Sequence, residues 1–172
     1  MKTYSPAIVC MALIGAAACG ESPADDSTTA EQAVVQTGVT YTIVGVHSGK
    51  CLEVASNDAL APLVIRTCAN GNTRQQFRFE DMGGGFYQVR SVSSARCLDV
   101  ENISMATGAR LVQWDCWGGF NQQFRASDLG NTVHQLIARH SNLALDVNAR
   151  GTADGTQVIQ WTLNSGATNQ QF

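Results

Sequence analysis

Carboxylates and amides return at a fixed interval along this chain. Glu53, Asp99 and Asp146 each stand third in a related tetrapeptide: Cys51-Leu52-Glu53-Val54, Cys97-Leu98-Asp99-Val100 and Ala144-Leu145-Asp146-Val147. Paired glutamines return with them, always ahead of phenylalanine: Gln75-Gln76-Phe77, Gln122-Gln123-Phe124 and Gln170-Gln171-Phe172. A carboxylate accepts strong hydrogen bonds from hydroxyls, and an amide, which both donates and accepts, fixes a hydroxyl's orientation. Hydrolysis demands more. A glycosidase needs two carboxylates about 5–9.5 Å apart, whereas Asp99 and Asp146 fall in different repeats. Asp115 could approach Asp99, but it adjoins a cysteine and has no counterpart elsewhere. His47 and His140 stand four residues before matching positions, where Ser93 fills the third slot, and read as turn residues. No nucleophile, base and acid converge, so catalytic residues are expected to be absent.

The cysteines suggest structure rather than chemistry. Cys51, Cys68, Cys97 and Cys116 sit two per repeat at matching places. Four cysteines allow three pairings; the repeat singles out Cys51–Cys68 and Cys97–Cys116, because equivalent units should pair alike. Each bridge closes a short loop, worth about 3 kcal/mol by chain entropy. No C-x-x-C pair supports zinc, and no metal or cofactor is expected. The third repeat offers Ala144 and Leu163 instead, an apolar pair that could pack where the others bond.

The elements that must position these groups are short strands. The phenylalanines lie 47 and then 48 residues apart, a period that marks one repeated supersecondary unit. In the middle unit, Phe86–Val92 alternates with period two, followed by Cys97–Val100, Leu111–Cys116 and Gln122–Arg125. The first unit reads Tyr41–Val46, Cys51–Val54, Leu63–Cys68 and Gln75–Glu80; the third reads Val133–Arg139, Ala144–Val147, Gln157–Leu163 and Gln170–Phe172. Gly, Asn, Ser and Asp between them supply turns, and Gly83-Gly84-Gly85 reads as a turn rather than a phosphate loop. No segment sustains a helical period. The expectation is an all-β fold: a β-trefoil of three four-stranded repeats, about 38–82, 83–130 and 131–172, with pseudo-threefold symmetry. The third copy stops at Phe172, where the others continue, so residues Gln32 to Thr40 are candidates to complete the barrel.

Composition narrows the partners. The chain has 172 residues, 44% of them hydrophobic, and a net charge of −3. Residues 38–172 hold ten basic and ten acidic side chains; such a neutral domain argues against nucleic acid and against steering to an anionic membrane. Residues 1–18 read as a signal peptide: Lys2, an apolar run from Ala7 to Ala18, then Cys19. Ala16-Ala17-Ala18-Cys19 resembles a bacterial lipobox, with Cys19 as lipid anchor, although Ala16 stands where leucine is usual. Residues 19–37, small and acidic, read as a flexible tether. The domain is thus expected to be exported, either as a cell-envelope lipoprotein or secreted. A membrane would be met only through the lipid.

The motifs Cys97-Leu98-Asp99-Val100, Gln113-Trp114-Asp115-Cys116 and Asn121-Gln122-Gln123-Phe124 resemble the ricin B-type lectin repeat, or carbohydrate-binding module family 13. Its signature is Q-x-W; phenylalanine replaces the tryptophan in all three copies here. The resemblance covers about residues 38–172. It implies non-catalytic carbohydrate binding, with glycans or polysaccharide as partners and galactose-type or xylan-type sugars as ligands. It also implies a pocket of aspartate, strand aromatic and the Asn-Gln pair. The second repeat matches with Asp99, Trp114, Asn121 and Gln122, the third with Asp146, Trp161, Asn169 and Gln170. An aromatic face attracts the C–H face of a sugar, and the polar groups take its hydroxyls. The first repeat departs with Glu53, Arg66 and Arg74, keeping only Gln75, and is expected to be silent, Glu53 pairing with Arg66. Val112 and Ile159 stand where some members carry glutamine. Trp117 has no counterpart and reads as a packed loop residue; Gln123 and Gln171 read as structural. A rival reading is a trefoil that binds or inhibits a protein through one surface loop; the duplicated Asp/Trp/Asn-Gln set speaks against it.

Overall fold

The computed structural model describes residues 35–172. The signal peptide, Cys19 and most of the tether fall outside the described residues. Eleven strands and five short 3-10 turns make up the described chain, and it contains no α-helix. β1 (Thr40–Thr42), β2 (Cys51–Val54), β3 (Leu63–Arg66) and β4 (Gln76–Asp81) form the first repeat. β5 (Tyr87–Ser91), β6 (Cys97–Val100), β7 (Leu111–Trp114) and β8 (Gln123–Asp128) form the second. β9 (His134–Ala138), β10 (Ala144–Val147) and β11 (Val158–Trp161) form the third. The strands are shorter than the alternation alone suggests. The first ends at Thr42, for example, beyond which Val44 makes only an isolated bridge to Cys51.

Within each repeat the second and third strands make an antiparallel hairpin in one common register. Cys51 faces Arg66, Cys97 faces Trp114 and Ala144 faces Trp161; Glu53, Asp99 and Asp146 face Val64, Val112 and Ile159. Two disulfides, Cys51–Cys68 and Cys97–Cys116, join the pairs that the repeat singles out, with Cα separations of 5.1 and 5.2 Å. In the third repeat Ala144 is buried, while Leu163 is 41% exposed. Gly83-Gly84-Gly85 turns between β4 and β5 with positive φ at all three, a backbone glycine adopts without steric cost.

The first and fourth strands build the barrel. β4 pairs with both β1 and β5, and β8 with both β5 and β9. The third Gln-Gln-Phe closes the ring in the same way. Phe172 exchanges two backbone hydrogen bonds with His134 (2.8 and 2.9 Å), and Val46 N donates to Gln171 O (2.9 Å), as Val92 and Arg139 donate to Gln76 and Gln123. Of the segment considered for completing the barrel, Gln32 to Val34 fall outside the described residues. Val35 packs against the core and, with Tyr41 and Phe172, lines an apolar cavity of about 600 Å³.

Phe77 and Phe124 are fully buried, and Phe172 packs against the same cluster. Leu52, Leu98 and Leu145, with Val54, Val100 and Val147, have no exposed surface at all. Each such side chain contributes about 1.5–3 kcal/mol by leaving water, so equivalent residues of three repeats share one core.

The loops are exchanged cyclically. Leu60 and Ala61 of the first repeat bond to Gln113 on β7 (both 2.9 Å). Gly108 and Ala109 of the second bond to Gln160 on β11 (both 2.8 Å), and Gly155 and Thr156 of the third return to Ile65 on β3 (2.8 and 2.9 Å). Gln113 and Gln160, fully buried, tighten two of these joints by donating to Ser56 and Asp58 carbonyls and to Ser104 and Ala106 carbonyls respectively.

Candidate functional site

Asp99 and Asp146 point away from the core because their neighbours Leu98, Val100, Leu145 and Val147 point into it; on a strand successive side chains take opposite faces. The same alternation sets Trp114 beside Val112 on the outer face of β7, and Trp161 beside Ile159 on β11. Both tryptophans are exposed at the strand end, by 39% and 46%, while the carboxylates below them are 5% and 6% exposed. An exposed ring beside a nearly buried carboxylate therefore occurs twice.

In the second repeat Asn121 Nδ2 donates to Asp99 Oδ1 and Gln122 Nε2 to Asp99 Oδ2, both at 2.9 Å. Gln122 also donates to Asp115 O and accepts from Trp117 N and Gln88 Nε2. Its amide is thus fully engaged, and its role is to hold the carboxylate. Asn121 gives its other contact to Val100 O (3.3 Å); its Oδ1 is buried without a protein partner among the described residues. A buried acceptor of this kind is costly unless a ligand or water supplies a donor.

The third repeat copies the arrangement. Gln170 Nε2 donates to Asp146 Oδ2 (2.9 Å) and Thr162 O (3.0 Å), and its Oε1 accepts from Asn164 N (2.9 Å). Asn169 Nδ2 donates to Val147 O (3.2 Å). Above them opens a cavity of about 790 Å³ lined by Asp146, Arg150, Ile159, Trp161, Asn164 and Asn169, among others. Leu163 lines it too, which accounts for its exposure. Gln123 and Gln171 lie outside both sites: their amides donate to Gly118 O and Ser165 O (both 2.7 Å) and hold loops.

Burial raises the pKa of both aspartates. For Asp99 it outweighs the donors Gln122, Asn121 and Trp117 and the nearby His140. For Asp146 it outweighs Gln170, Asn169, His47 and Arg150. Water-poor carboxylates with amide donors are suited to accepting hydroxyl hydrogen bonds.

The first repeat has the same frame and a filled site. Glu53 Oε1 meets Arg66 Nε at 3.2 Å, and Oε2 accepts from Asn72 Nδ2 (3.0 Å) and Gln75 Nε2 (2.8 Å). Arg74, at the asparagine position, turns away to Ala55 O (3.1 Å). Arg66 consumes the carboxylate that the tryptophans leave open.

Trp117 is placed where sequence spacing could not put it. It is 58% exposed, and its side chain reaches Asp99. Its ring lies across Gly119, where an added Cβ would sit 2.1 Å from a ring carbon. The Trp-Gly-Gly succession is the one local sign: small residues that let a large ring lie flat. Among the described residues no group of three or more His, Cys, Asp or Glu side chains could hold a metal ion.

A family model described as ricin-type beta-trefoil lectin domain-like matches residues 29–114 and 73–161. A designed threefold-symmetric protein, ThreeFoil, is 42% identical over 77% of this chain and 94% of its own, with a TM-score of 0.74. An exo-beta-1,3-galactanase from Clostridium thermocellum is 35% identical over 80% of this chain (TM-score 0.74); this chain covers only 30% of that one. A ricin B-like lectin from Macrolepiota procera, solved with lactose, is 24% identical over 80% of this chain and 94% of its own (TM-score 0.67) and shares the fold. No curated protein sequence matches. The lectin-like family model supports carbohydrate binding in general, and the two disulfides are consistent with an extracellular protein. Three interlocked repeats, a matching family model spanning most of the chain and a 42% identical trefoil lead to one assignment: the chain belongs to the ricin-type beta-trefoil lectin domain-like family.

Proposed function

We propose that the domain binds carbohydrate non-covalently at two sites, Asp99/Trp114/Asn121 and Asp146/Trp161/Asn169, with Gln122 and Gln170 orienting the carboxylates. The observation that carries this reading is the duplicated pairing of an exposed indole with a nearly buried, amide-held carboxylate, absent from the first repeat. A sugar's C–H face fits the ring, and its hydroxyls fit Asp99, Asp146 and the unpartnered Asn121 Oδ1. The galactanase relative favours galactose-type glycans, with xylan-type sugars second. Ile159, opposite Asp146, lines the third-repeat cavity and offers the sugar an apolar contact there, whereas Val112, opposite Asp99, is fully buried.

Catalysis is not part of the proposal. The two aspartates occupy different repeats, each enclosed by its own amides, and neither has a second carboxylate among its hydrogen-bond partners. Export, whether lipid-anchored at Cys19 or secreted, accords with the disulfides.

A glycan array probed with residues 20–172 and with its Trp114→Ala/Trp161→Ala variant tests the reading. Binding that vanishes in a variant with unchanged melting establishes the two sites and names the sugar class. Binding indifferent to both tryptophans would transfer the activity to another surface, as a protein-binding trefoil requires.

A further inference from the structure

Numbered by repeat, the filled Glu53 position is site 1, the Asp99 site is site 2 and the Asp146 site is site 3; the rims of sites 2 and 3 carry an unusual backbone. Asn102 and Ile103, beyond Asp99, have φ of 58° and 53°; Ala149 and Arg150, beyond Asp146, have φ of 50° and 55°. Residues with a Cβ seldom adopt this left-handed region, least of all a β-branched one. Each pair is the centre of a four-residue turn closed by its own backbone hydrogen bond, Ser104 N to Glu101 O (3.2 Å) and Gly151 N to Asn148 O (3.0 Å), and the side chains make that turn costly. Ala149 and Arg150 line the site 3 cavity itself.

Each run ends at a carbonyl engaged by a histidine from another repeat. His140 Nε2 donates to Ser104 O, and His47 Nε2 to Gly151 O, both at 2.9 Å. A carbonyl can only accept, so Nε2 carries the proton in both rings. The other ring nitrogen, Nδ1, is buried without a hydrogen-bond partner in both. Each ring also lies near enough to bear on the carboxylate of the same site, His140 on Asp99 and His47 on Asp146.

The histidines follow the sites, not the repeats. His47 belongs to the repeat whose own site is filled by Arg66, yet it braces site 3. The second repeat has an open site but carries Ser93 at the histidine position, and the loop next in the cycle there belongs to silent site 1. Ser93 Oγ pairs instead with Ser91 Oγ (3.0 Å). That site 1 loop is also shorter, eight residues between Val54 and Leu63, against ten between Val100 and Leu111 and ten between Val147 and Val158. Its one non-glycine left-handed residue is Leu60.

We propose that His140 and His47 are positioning residues for the sugar sites, each holding the strained rim of the site in the preceding repeat. The proposal rests on the lectin reading. It makes each site complete only when the next repeat is docked, which explains how a repeat with no site of its own keeps a histidine.

Single-site proteins test it. Trp114→Ala leaves site 3 to report, and Trp161→Ala leaves site 2; binding is read by affinity electrophoresis in gels containing β-1,3-galactan or arabinoxylan. His47→Ala is expected to weaken retention about tenfold in the Trp114→Ala protein and to leave the Trp161→Ala protein unchanged. His140→Ala is expected to do the reverse. His47→Gln, whose amide N–H has the same reach, is expected to restore most of the affinity; it also serves if His47→Ala unfolds. Equal losses at both sites, or none, would overturn the assignment and leave the lectin reading intact. Absence of binding by the unsubstituted domain to both polysaccharides and to every glycan of the array would overturn both.

Discussion

Asp99 and Asp146 hold their charge where water is scarce, so acidity acts on them in two opposed ways. Burial raises both pKa values above the usual aspartate value. As pH falls, they therefore take up protons before ordinary surface carboxylates do, and a protonated acid accepts hydroxyl hydrogen bonds poorly. Glycan affinity is expected to fall on mild acidification, measured by titration calorimetry; affinity flat down to the ordinary carboxylate range would refute this. Stability moves the other way. A folded-state pKa above the unfolded value means the native state holds the proton more tightly. The contribution of these groups to stability is therefore fullest at low pH and is lost as pH rises through the raised pKa. Urea midpoints of the domain and of its Asp99→Asn/Asp146→Asn variant, compared across pH, isolate this contribution from that of Glu80 and Asp154, whose pKa values are lowered by Arg90 and Lys50.

A site is held by its hairpin and by the turn that follows. In the second repeat the register sets Trp114 opposite Cys97, and the Cys97–Cys116 bridge ties the chain two residues beyond Trp114 back to the same strand. The segment carrying Trp117, Asn121 and Gln122 starts from that anchor. The third repeat reaches the same arrangement with Ala144 and Leu163 and no bridge. Cys97→Ala/Cys116→Ala is accordingly expected to lose about 3 kcal/mol of stability in urea unfolding and to weaken site 2. Site 3 is expected to keep its affinity. Equal weakening of both sites would show that the bridge supports the barrel rather than its own site.

Over the whole molecule, the threefold ring places the two proposed sites in different repeats of one domain, and the third position is occupied by the Glu53–Arg66 pair. Two linked weak sites on a polymeric glycan bind as one strong one when the polymer spans both, with a gain of about 10²–10⁴. Trp114→Ala or Trp161→Ala alone is therefore expected to lower apparent affinity for a polysaccharide by tenfold or more. On a monosaccharide the same change is expected to halve the stoichiometry without altering the remaining affinity. Calorimetry with both ligands decides; a mere halving on the polymer would mean that the two sites work independently.

Much of this architecture is legible in the chain because repetition records it. Gln-Gln-Phe and Leu-Asp/Glu-Val mark what each unit buries, so the three repeats, their hairpins and the cysteine pairing follow from spacing and symmetry. The departures at Glu53, Arg66 and Arg74 mark the odd site equally plainly, since a longer acid and a cation replace an acid and a ring. Tertiary structure alone decided what passes between units. His47 meets Gly151 across 104 residues, and His140 meets Ser104 across 36. Neither contact leaves a local pattern, because it exists only once the ring has closed. The left-handed backbone at Ile103, Ala149 and Arg150 runs against residue preference, so their side chains give no sign of the tight turns they occupy. Trp117 stands alone in sequence, and its approach to Asp99 depends on a ring lying over Gly119. Local periodicity determines which side chains enter the core; the joining of loops from different repeats determines the shape of the sites above it.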